Sequence, residues 1–331
     1  METTGSRGLD ELGWDDAWAA AAMAAGAPGV PGRVARVDFG RLTVLTGGGS
    51  VFAVPGEDEA ATGDWVLVDD GRAAAVLPRR SAFVRGDPLE GTARGAQVLA
   101  ANVDIVLVVQ SLTNGPNARR LERELVLAFE SGARPVVVLT KADLVDGATV
   151  AGALETVATA AHGVEVVVTS TVTPRGIDTL HGYAHDHRTI ALIGASGVGK
   201  STLVNALVGR DVQSTADVRA RDQRGRHTTT ARELVLIPGG GVLVDTPGLR
   251  AVSLWDAESG LSRAFADVEE LVAQCRFADC SHTVEPDCAV RAAIDDGSLD
   301  AARFEHYQRL DGELADAQRR RDARPARRRR T

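Results

Sequence analysis

The sequence Gly194-Ala195-Ser196-Gly197-Val198-Gly199-Lys200-Ser201 decides the fold of this chain. It fits the phosphate-binding loop pattern G-x-x-x-x-G-K-S/T, follows an apolar run at 189–193 and precedes a helical run that starts at Thr202. Its glycines let successive backbone N–H groups face phosphate oxygens, and the following helix adds the positive end of its dipole. The pattern therefore predicts a nucleotide site in which Lys200 reaches the β- and γ-phosphates and Ser201 holds Mg²⁺.

Composition is ordinary for a soluble globular protein, and the length allows two or three domains. The chain has 331 residues, of which 44% are hydrophobic and 25% are charged. The sequence shows neither a secretory leader nor an apolar run of membrane-spanning length. We therefore expect a cytoplasmic protein without membrane contact. The net charge of −8 disfavours nucleic-acid binding by the whole surface, but arginines cluster within 319–330.

Strands that alternate with helices are predicted between residues 102 and 257. The predicted strands are 103–109, 135–139, 164–168, 190–193, 233–237 and 242–244, and the clearest helices are 118–129 and 150–161. This alternation is typical of a largely parallel sheet with helices on both faces. The sequence thus predicts an α/β nucleotide-binding domain of about six strands.

Two segments upstream of the phosphate loop identify the base. Thr140-Lys141-Ala142-Asp143 follows a predicted strand, where the Asp143 carboxylate can accept the hydrogens of guanine N1 and the 2-amino group. Adenine offers no such pair of donors, so the predicted nucleotide is GTP, with the Lys141 stem across the base. Ser170 follows another predicted strand, where it can support the guanine carbonyl.

The motif Asp245-Thr246-Pro247-Gly248 follows the predicted strand at 242–244. At a strand end, Asp245 can hold the Mg²⁺ shell through water, and the Gly248 N–H can meet the γ-phosphate. Ordinary GTPases have the phosphate loop first and the guanine motif last. Here the guanine motif precedes the phosphate loop, so the sequence predicts a circularly permuted G domain.

A polar loop at 223–230 separates the phosphate loop from Asp245. One of its threonines is expected to bind Mg²⁺, with Thr228 and Thr229 as the candidates and the choice left open. His227 is the candidate that orients the attacking water, and a loop histidine without catalytic duty is the alternative. Leu249 occupies the place of the water-orienting glutamine of Ras-like proteins, so slow intrinsic hydrolysis is expected.

All three cysteines fall in one short window, Cys275-x4-Cys280-x-His282-x5-Cys288. Three thiolates and one imidazole fill a tetrahedral zinc shell and leave no position for water, so the spacing predicts a structural Zn²⁺ site. Free buried cysteines are the alternative. Helices predicted at 258–274 and 300–317 flank the window, which indicates a small helical module held by zinc.

The region before the G domain is predicted to form a small barrel. Five β-branched runs at 33–37, 41–45, 50–54, 64–68 and 72–76 favour an OB-fold. Both RNA contact by this barrel and a barrel without a ligand stay open.

The segments that flank the predicted barrel are less regular. The alanine-rich stretch at 17–25 favours helix with little to bury, so a partly ordered extension is expected. A solvated linker is the preferred interpretation of 79–85, and an RNA clamp that stacks a base on Phe83 is the alternative.

Together these motifs resemble the family of bacterial ribosome small-subunit-dependent GTPase A, from about Val30 to about Gln318. The resemblance implies an OB-fold β-barrel (31–85), a circularly permuted α/β P-loop GTPase domain (95–257) and a small α-helical zinc-binding domain (258–318). An N-terminal extension (1–30) and an arginine-rich tail (319–331) fall outside it. The resemblance implies a monomer that hydrolyses GTP to GDP and phosphate. It also implies binding to 16S rRNA and activity late in 30S maturation, with GTP hydrolysis stimulated by the 30S subunit.

The expected GTP site combines all these motifs. Its residues are Thr140, Lys141, Asp143, Ser170, Gly194, Ala195, Ser196, Gly197, Val198, Gly199, Lys200, Ser201, Thr202, Asp245 and Gly248. The family usually has asparagine where this chain has Thr140, which removes an amide that braces the phosphate loop and is expected to weaken affinity modestly. An RNA-binding adaptor with little turnover is the alternative function, and Leu249 is the residue that supports it.

Overall fold

The computed structural model describes residues 8–86, 96–211, 233–245 and 257–322. Its main sheet has 11 strands and continues from a small barrel into an α/β unit. A C-terminal helical module packs against the α/β unit. Within the described residues, no helix is both long and apolar enough to cross a bilayer.

The barrel contains five strands. These are β1 (Val30–Asp38), β2 (Arg41–Thr46), β3 (Gly49–Ala53), β4 (Trp65–Asp69) and β5 (Arg72–Val76). Strand β1 pairs antiparallel with both β2 and β4, while β2 pairs with β3 and β4 pairs with β5. A parallel bridge between Val54 and Arg72 closes the ring. This arrangement agrees with the predicted OB-fold.

The N-terminal segment packs on the barrel through tryptophans. Helix α1 (Asp16–Ala25) is capped by Asp15, whose carboxylate accepts the Trp18 N–H at 2.9 Å. Trp18 is only 4% exposed, and its ring lies 6.1 Å from the Trp65 ring. Trp14 meets the edge of the same Trp65 ring at 4.8 Å. The expectation of little apolar surface to bury is therefore wrong, because Trp18 buries its ring and Ala21 and Ala22 pack beside it.

The segment at 79–85 is part of a paired strand rather than a solvated linker. Strand β6 (Ala82–Gly86) pairs antiparallel with β7 (Ala96–Ala101) in a separate hairpin. Phe83 is 2% exposed, so its ring is not available for stacking on a base. The Arg79 guanidinium donates to both carboxylate oxygens of the buried Asp64 at 2.7 Å. The solvated-linker interpretation was wrong, and so was base stacking on Phe83, because this segment pairs and packs with residues far along the chain. Contact of its arginines with RNA stays a prediction.

The α/β unit contains the six predicted strands. These are β8 (Ile105–Ser111), β9 (Arg134–Thr140), β10 (Val166–Val168), β11 (Thr189–Gly194), β12 (Glu233–Leu236) and β13 (Val242–Asp245). The spatial order is β10-β9-β8-β11-β13-β12, with all neighbours parallel except β12 and β13. Helices α2 (Ala118–Glu130), α3 (Gly147–Ala160), α4 (Ile177–Gly182) and α5 (Lys200–Val208) cover the sheet. The predicted parallel sheet is confirmed.

Both faces of this sheet are buried, as helices on both sides require. Alternate residues of β8 enter different cores, with Val106 and Val108 in one and Leu107 and Val109 in the other.

Helix α3 begins three residues before the predicted start because the Asp146 carboxylate caps it, accepting the Thr149 N–H at 2.8 Å.

A buried arginine joins the barrel to the α/β unit. Arg33 of β1 is 2% exposed. Its guanidinium donates to the carbonyls of Leu12, Gly63 and Asn102 and, at 2.7 Å, to the hydroxyl of Thr189. Burial lowers the pKa of Arg33 to about 10, which still leaves it charged at neutral pH. Since Thr189 begins β11, this side chain ties the barrel to the strand that leads into the phosphate loop.

The C-terminal module consists of four helices. They are α6 (Glu258–Ala264), α7 (Ala266–Val272), α8 (Ala289–Asp295) and α9 (Ala301–Asp322). The helix predicted at 258–274 breaks at Phe265, whose backbone leaves helical geometry and whose side chain is buried. Helix α9 continues to Asp322, so Arg319, Arg320 and Arg321, which begin the predicted arginine-rich tail, are helical.

Buried charged side chains fix α9 to α2. Arg303 donates to Glu122 at 3.3 Å and to Asp267 at 2.5 Å. His306 Nε2 accepts from Arg119 at 3.0 Å, which leaves the ring proton on Nδ1 for donation to Glu122 at 2.5 Å. Burial, assisted by the charge of Arg119, lowers the pKa of His306. The module is therefore held to the α/β unit by a fully connected polar network.

We expect Arg33→Ala to lower the free energy of unfolding by at least about 3 kcal/mol, because several buried carbonyl oxygens would lose their donor. Urea and thermal unfolding of the full chain measure this loss. Arg36→Ala is the matched control, since Arg36 on the same strand makes a partly exposed ion pair with Asp38 at 2.9 Å. Such pairs contribute at most about 1 kcal/mol. Equal losses in the two variants would contradict the assigned role of Arg33.

Candidate guanine nucleotide site and metal centre

The phosphate loop joins the end of β11 to the start of α5. Gly194, Gly197 and Gly199 all have positive φ, at 144°, 80° and 103°. A Cβ atom at Gly194 would lie 2.4 Å from the carbonyl oxygen of Val109, so only glycine allows the two strands to approach this closely. These positive φ angles let the loop turn tightly into the N-terminus of α5.

Lys200 folds back over this loop. Its ammonium group donates to the carbonyl of Gly194 at 2.7 Å and to that of Ala195. Ser201 follows in the first turn of α5, where the backbone N–H groups carry the positive end of the helix dipole. Lysine charge, helix terminus and glycine backbone together form a site for an anionic phosphate group.

The guanine motif contacts the phosphate loop directly. The Thr140 hydroxyl donates to the Val198 carbonyl at 2.5 Å, and Thr140 is only 6% exposed. The Lys141 ammonium donates to the Gly197 carbonyl at 2.7 Å. The Thr140 hydroxyl therefore reaches a loop carbonyl as a donor, where the family usually has an asparagine amide, and the modest loss of affinity stays a prediction.

Ser170 orients the aspartate of the guanine motif. Its hydroxyl donates to Asp143 Oδ1 at 2.6 Å and accepts the N–H groups of Val172 and Thr173 at 3.1 Å. A serine hydroxyl has one proton, which is therefore committed to Asp143 and not to a base carbonyl. This contact differs from the predicted support of the guanine carbonyl, and it leaves Asp143 Oδ2 and a further lone pair of Oδ1 to accept two N–H groups of a base.

The structure describes only some of the other residues that are predicted to bind the nucleotide. Asp245 ends β13, the parallel neighbour of β11, and its backbone pairs with Glu233. Ser196 and Thr202 are exposed at the loop and on α5. The predicted residues Gly248, His227, Thr228 and Thr229 lie outside the described residues.

Two further polar residues lie beside this site. The amide of Gln110, 4% exposed near the end of β8, donates to Glu124 Oε2 on α2 at 2.7 Å. Burial raises the pKa of Glu124 to about 7, against the charges of Arg120 and Lys200. The only sequence signal for this pair was a glutamine that follows the apolar run of β8.

The metal window closes into one cluster. The ligand atoms of Cys275, Cys280, His282 and Cys288 all lie within 4.8 Å of one another. His282 Nδ1 lies 3.5 Å from the sulfurs of Cys275 and Cys288, which are 3.8 Å apart. Tetrahedral Zn–S and Zn–N bonds require separations of about 3.8 Å between sulfurs and about 3.5 Å between sulfur and nitrogen. The donor set and its spacing therefore fit a structural zinc ion.

The loop between the zinc ligands has its own support. The Glu285 carboxylate accepts the N–H groups of Ser281 at 3.0 Å and Thr283 at 3.1 Å. Together with the Ser281 hydroxyl, these donors lower the pKa of Glu285 to about 2. His282 adopts a left-handed backbone, with φ of 60°, and its ring meets the edge of Phe304 on α9 at 5.5 Å.

A parallel α/β sheet with a phosphate loop braced by a guanine motif that precedes it defines a circularly permuted GTPase. The family model described as RsgA GTPase matches residues 76–255. Small ribosomal subunit biogenesis GTPase RsgA of Streptomyces avermitilis is 46% identical over 321 residues, which cover 93% of this chain and 86% of that protein. The protein of the same name from Streptomyces coelicolor is 47% identical, with coverage of 91% and 85%. This chain belongs to the RsgA GTPase family.

Solved structures show the same fold. YjeQ from Thermotoga maritima superposes with a TM-score of 0.67 at 27% identity, covering 86% of this chain and 98% of that one. YloQ, described as a circularly permuted GTPase, superposes with a TM-score of 0.62 at 23% identity, with coverage of 88% and 96%.

We expect Thr140→Val to bind guanine nucleotides about 5- to 30-fold more weakly, because valine keeps the shape of threonine but leaves the buried Val198 carbonyl without a donor. Titration with a fluorescent GDP analogue measures the dissociation constant. Thr169→Val is the matched control, since Thr169 is equally buried but donates to Leu139, away from the loop, at 3.2 Å. Equal affinities of the two variants would contradict the bracing role.

Proposed function

We propose that this GTPase acts on the 30S ribosomal subunit late in its maturation and that the 30S particle stimulates its GTP hydrolysis. The nucleotide-binding part of this proposal rests on the hydrogen bonds from Thr140 and Lys141 that brace the phosphate loop. The names of its relatives, which are small ribosomal subunit biogenesis GTPases, support the ribosomal part. In this proposal GTP hydrolysis times release from the subunit.

The proposed nucleotide site assigns one role to each motif. Asp143, held by Ser170, reads guanine N1 and the 2-amino group, and Lys200 binds the β- and γ-phosphates. Ser201 holds Mg²⁺, which would supply charge neutralisation at the phosphates. Thr228 or Thr229 is proposed as a second Mg²⁺ ligand and His227 as the residue that orients water, both on the sequence pattern alone.

The barrel offers a surface that suits 16S rRNA. Phe39, in the turn between β1 and β2, is fully exposed, and Phe52 of β3 is 62% exposed. The Arg41 guanidinium lies 4.4 Å from the centre of the Phe52 ring. Exposed aromatic rings beside arginine stack bases and contact phosphates, so we propose this face as an rRNA contact. The helical arginines Arg319 to Arg321 would add a second basic contact.

We further propose that Cys275, Cys280, His282 and Cys288 hold one structural Zn²⁺ per chain. The separations of their ligand atoms and the closed donor set support this assignment. The zinc ion would hold the loops of a module whose helices are mostly short. The working state in this proposal is a cytoplasmic monomer that binds GTP and GDP.

We expect 30S particles to raise multiple-turnover GTP hydrolysis by at least about 10-fold, and separated 50S particles to leave it unchanged. Asp143→Asn should lose 30S-stimulated GTP turnover and gain turnover of xanthosine triphosphate, because the asparagine amide donates where the carboxylate accepts. Asp146→Asn is the matched control, since Asp146 caps α3 three residues further on. Turnover that stays slow with 30S would contradict the proposal and favour the RNA-binding adaptor that Leu249 suggests.

Cys288→Ser should lower the zinc content below one ion per chain. It should also destabilise the C-terminal module by several kcal/mol, which is roughly half or less of the 10–16 kcal/mol of binding free energy that a complete structural zinc site contributes. Metal analysis of the purified chain and thermal unfolding measure both effects. Asp279→Asn serves as the control because Asp279 is exposed and lies between two ligands without being one. Full zinc content in Cys288→Ser would overturn the assignment.

A further inference from the structure

A cavity of about 320 Å³ lies between the α/β unit and the C-terminal module. Helices α2 and α3 line one side of it, and the start of α9 lines the other. Small-molecule sites have volumes of roughly 300–1,000 Å³ and often form where two domains meet. Among the described residues, no predicted nucleotide or zinc ligand lines this cavity, so it is separate from both sites.

The arginine that lines this cavity has no N–H group left for a ligand. Arg303 is 3% exposed, and a guanidinium group has five N–H donors. The structure gives this group five hydrogen bonds, whose acceptors are the carboxylates of Asp267 and Glu122 and the backbone carbonyls of Ala160 and Ala264. The Arg303 side chain therefore holds the wall of the cavity together and does not bind an anion in it.

The other side-chain donors of the lining are used in the same way. His306 donates from Nδ1 to Glu122 at 2.5 Å. The hydroxyls of Thr156 and Thr159 donate to carbonyls of their own helix, at 3.0 and 3.3 Å. Within the described lining, every side-chain donor thus has a protein acceptor, and what the cavity still offers a ligand is acceptors.

Three carboxylates supply most of this acceptor capacity. Glu122 on α2 is 2% exposed, whereas Glu155 on α3 and Asp300 before α9 are exposed at the rim. A carboxylate has about four lone-pair positions. Glu122 accepts from Arg303 and His306, and Asp300 accepts the Ala302 N–H at 2.7 Å, so both keep lone pairs for further donors.

The charge of the cavity is negative as well. Three carboxylates and one guanidinium line it, and Asp267 offsets that guanidinium through a contact of 2.5 Å. Arg119 beside His306 adds a second cation, while the next charges along α9, Glu305 and Arg309, oppose each other. Four carboxylates therefore stand against two cations, and a positively charged ligand complements this balance.

We propose that this cavity binds a linear aliphatic polyamine, whose ammonium groups donate to Glu122, Glu155 and Asp300. An ammonium group carries positive charge and donors but no acceptor, which is what the lining leaves unmatched. Three alanines of the lining offer apolar surface to the methylene linkers. Because the carboxylates come from α2, α3 and the start of α9, one bound polyamine bridges the α/β unit and the C-terminal module.

Calorimetric titration of the nucleotide-free, full-length chain with spermidine tests the proposal. At an ionic strength of about 0.15 M we expect saturable binding of one spermidine per chain with a Kd below about 1 mM. Bound spermidine should also raise the midpoint of thermal unfolding, since it binds only the folded state. Absence of saturable binding would overturn the proposal.

Two comparisons of ligands identify what the cavity recognises. Hexamethonium has the stem and charge of 1,6-diaminohexane but no N–H, so it should bind at least about 10-fold more weakly. Equal affinities would overturn recognition by hydrogen-bond donation. Nα-acetyl-lysinamide presents one ammonium, as a lysine of a partner protein does, and it should bind more weakly than spermidine. The reverse order would overturn the free polyamine as the ligand.

Glu155→Gln and Asp300→Asn locate the bound spermidine. Each should weaken its binding by about 3- to 5-fold, because each removes the charge of one exposed acceptor. Asparagine at position 300 still accepts the Ala302 N–H, so the start of α9 is kept. Asp178→Asn, on an exposed position of α4 outside the cavity, is the matched control and should bind spermidine as the wild type does. Wild-type affinity in both cavity variants, or an equal loss in the control, would overturn this site.

Discussion

The hydrogen bonds between the guanine motif and the phosphate loop are the contacts on which the rest of the nucleotide site depends. Thr140 and Val198 are 58 positions apart in the chain, yet their side-chain and backbone oxygens lie 2.5 Å apart. They meet because β9 and β11 flank β8 in one parallel sheet, whose carboxyl ends share an edge. Circular permutation changes which motif comes first, but it leaves this edge intact.

Buried charged groups attach the barrel and the C-terminal module to the elements that form this edge. Arg33 of the barrel bonds to Thr189, the first residue of the strand that leads into the phosphate loop. Arg303 of the C-terminal module donates a hydrogen bond to Glu122 on α2. Removing one partner of such a buried contact is costly, because the other partner stays buried without compensation. Both attachments therefore end on elements of the α/β unit, with Thr189 at the amino end of the strand that leads into the phosphate loop.

Local pattern predicted the elements of the chain far better than their contacts. The six strands of the α/β unit, the glycine-rich loop and the cysteine window all have short-range signatures in periodicity or spacing. The packing of Trp18 on Trp65 and the burial of Phe83 had none, because each depends on residues far away in sequence. Ser170 was placed beside the guanine motif correctly, but its hydroxyl donates to Asp143 rather than toward a base.

The sequence by itself determined the residue sets on which the proposed chemistry rests: a phosphate loop, a guanine motif that precedes it and a cluster of three cysteines and a histidine. These follow from residue types at short, fixed spacings, which local backbone geometry converts directly into function. Only the tertiary structure decided that a threonine hydroxyl braces the loop and that the half-buried Glu124 accepts a hydrogen bond from Gln110. The reason is physical: a hydrogen-bond partner and a pKa depend on which distant groups the fold brings near, and on how much water it removes.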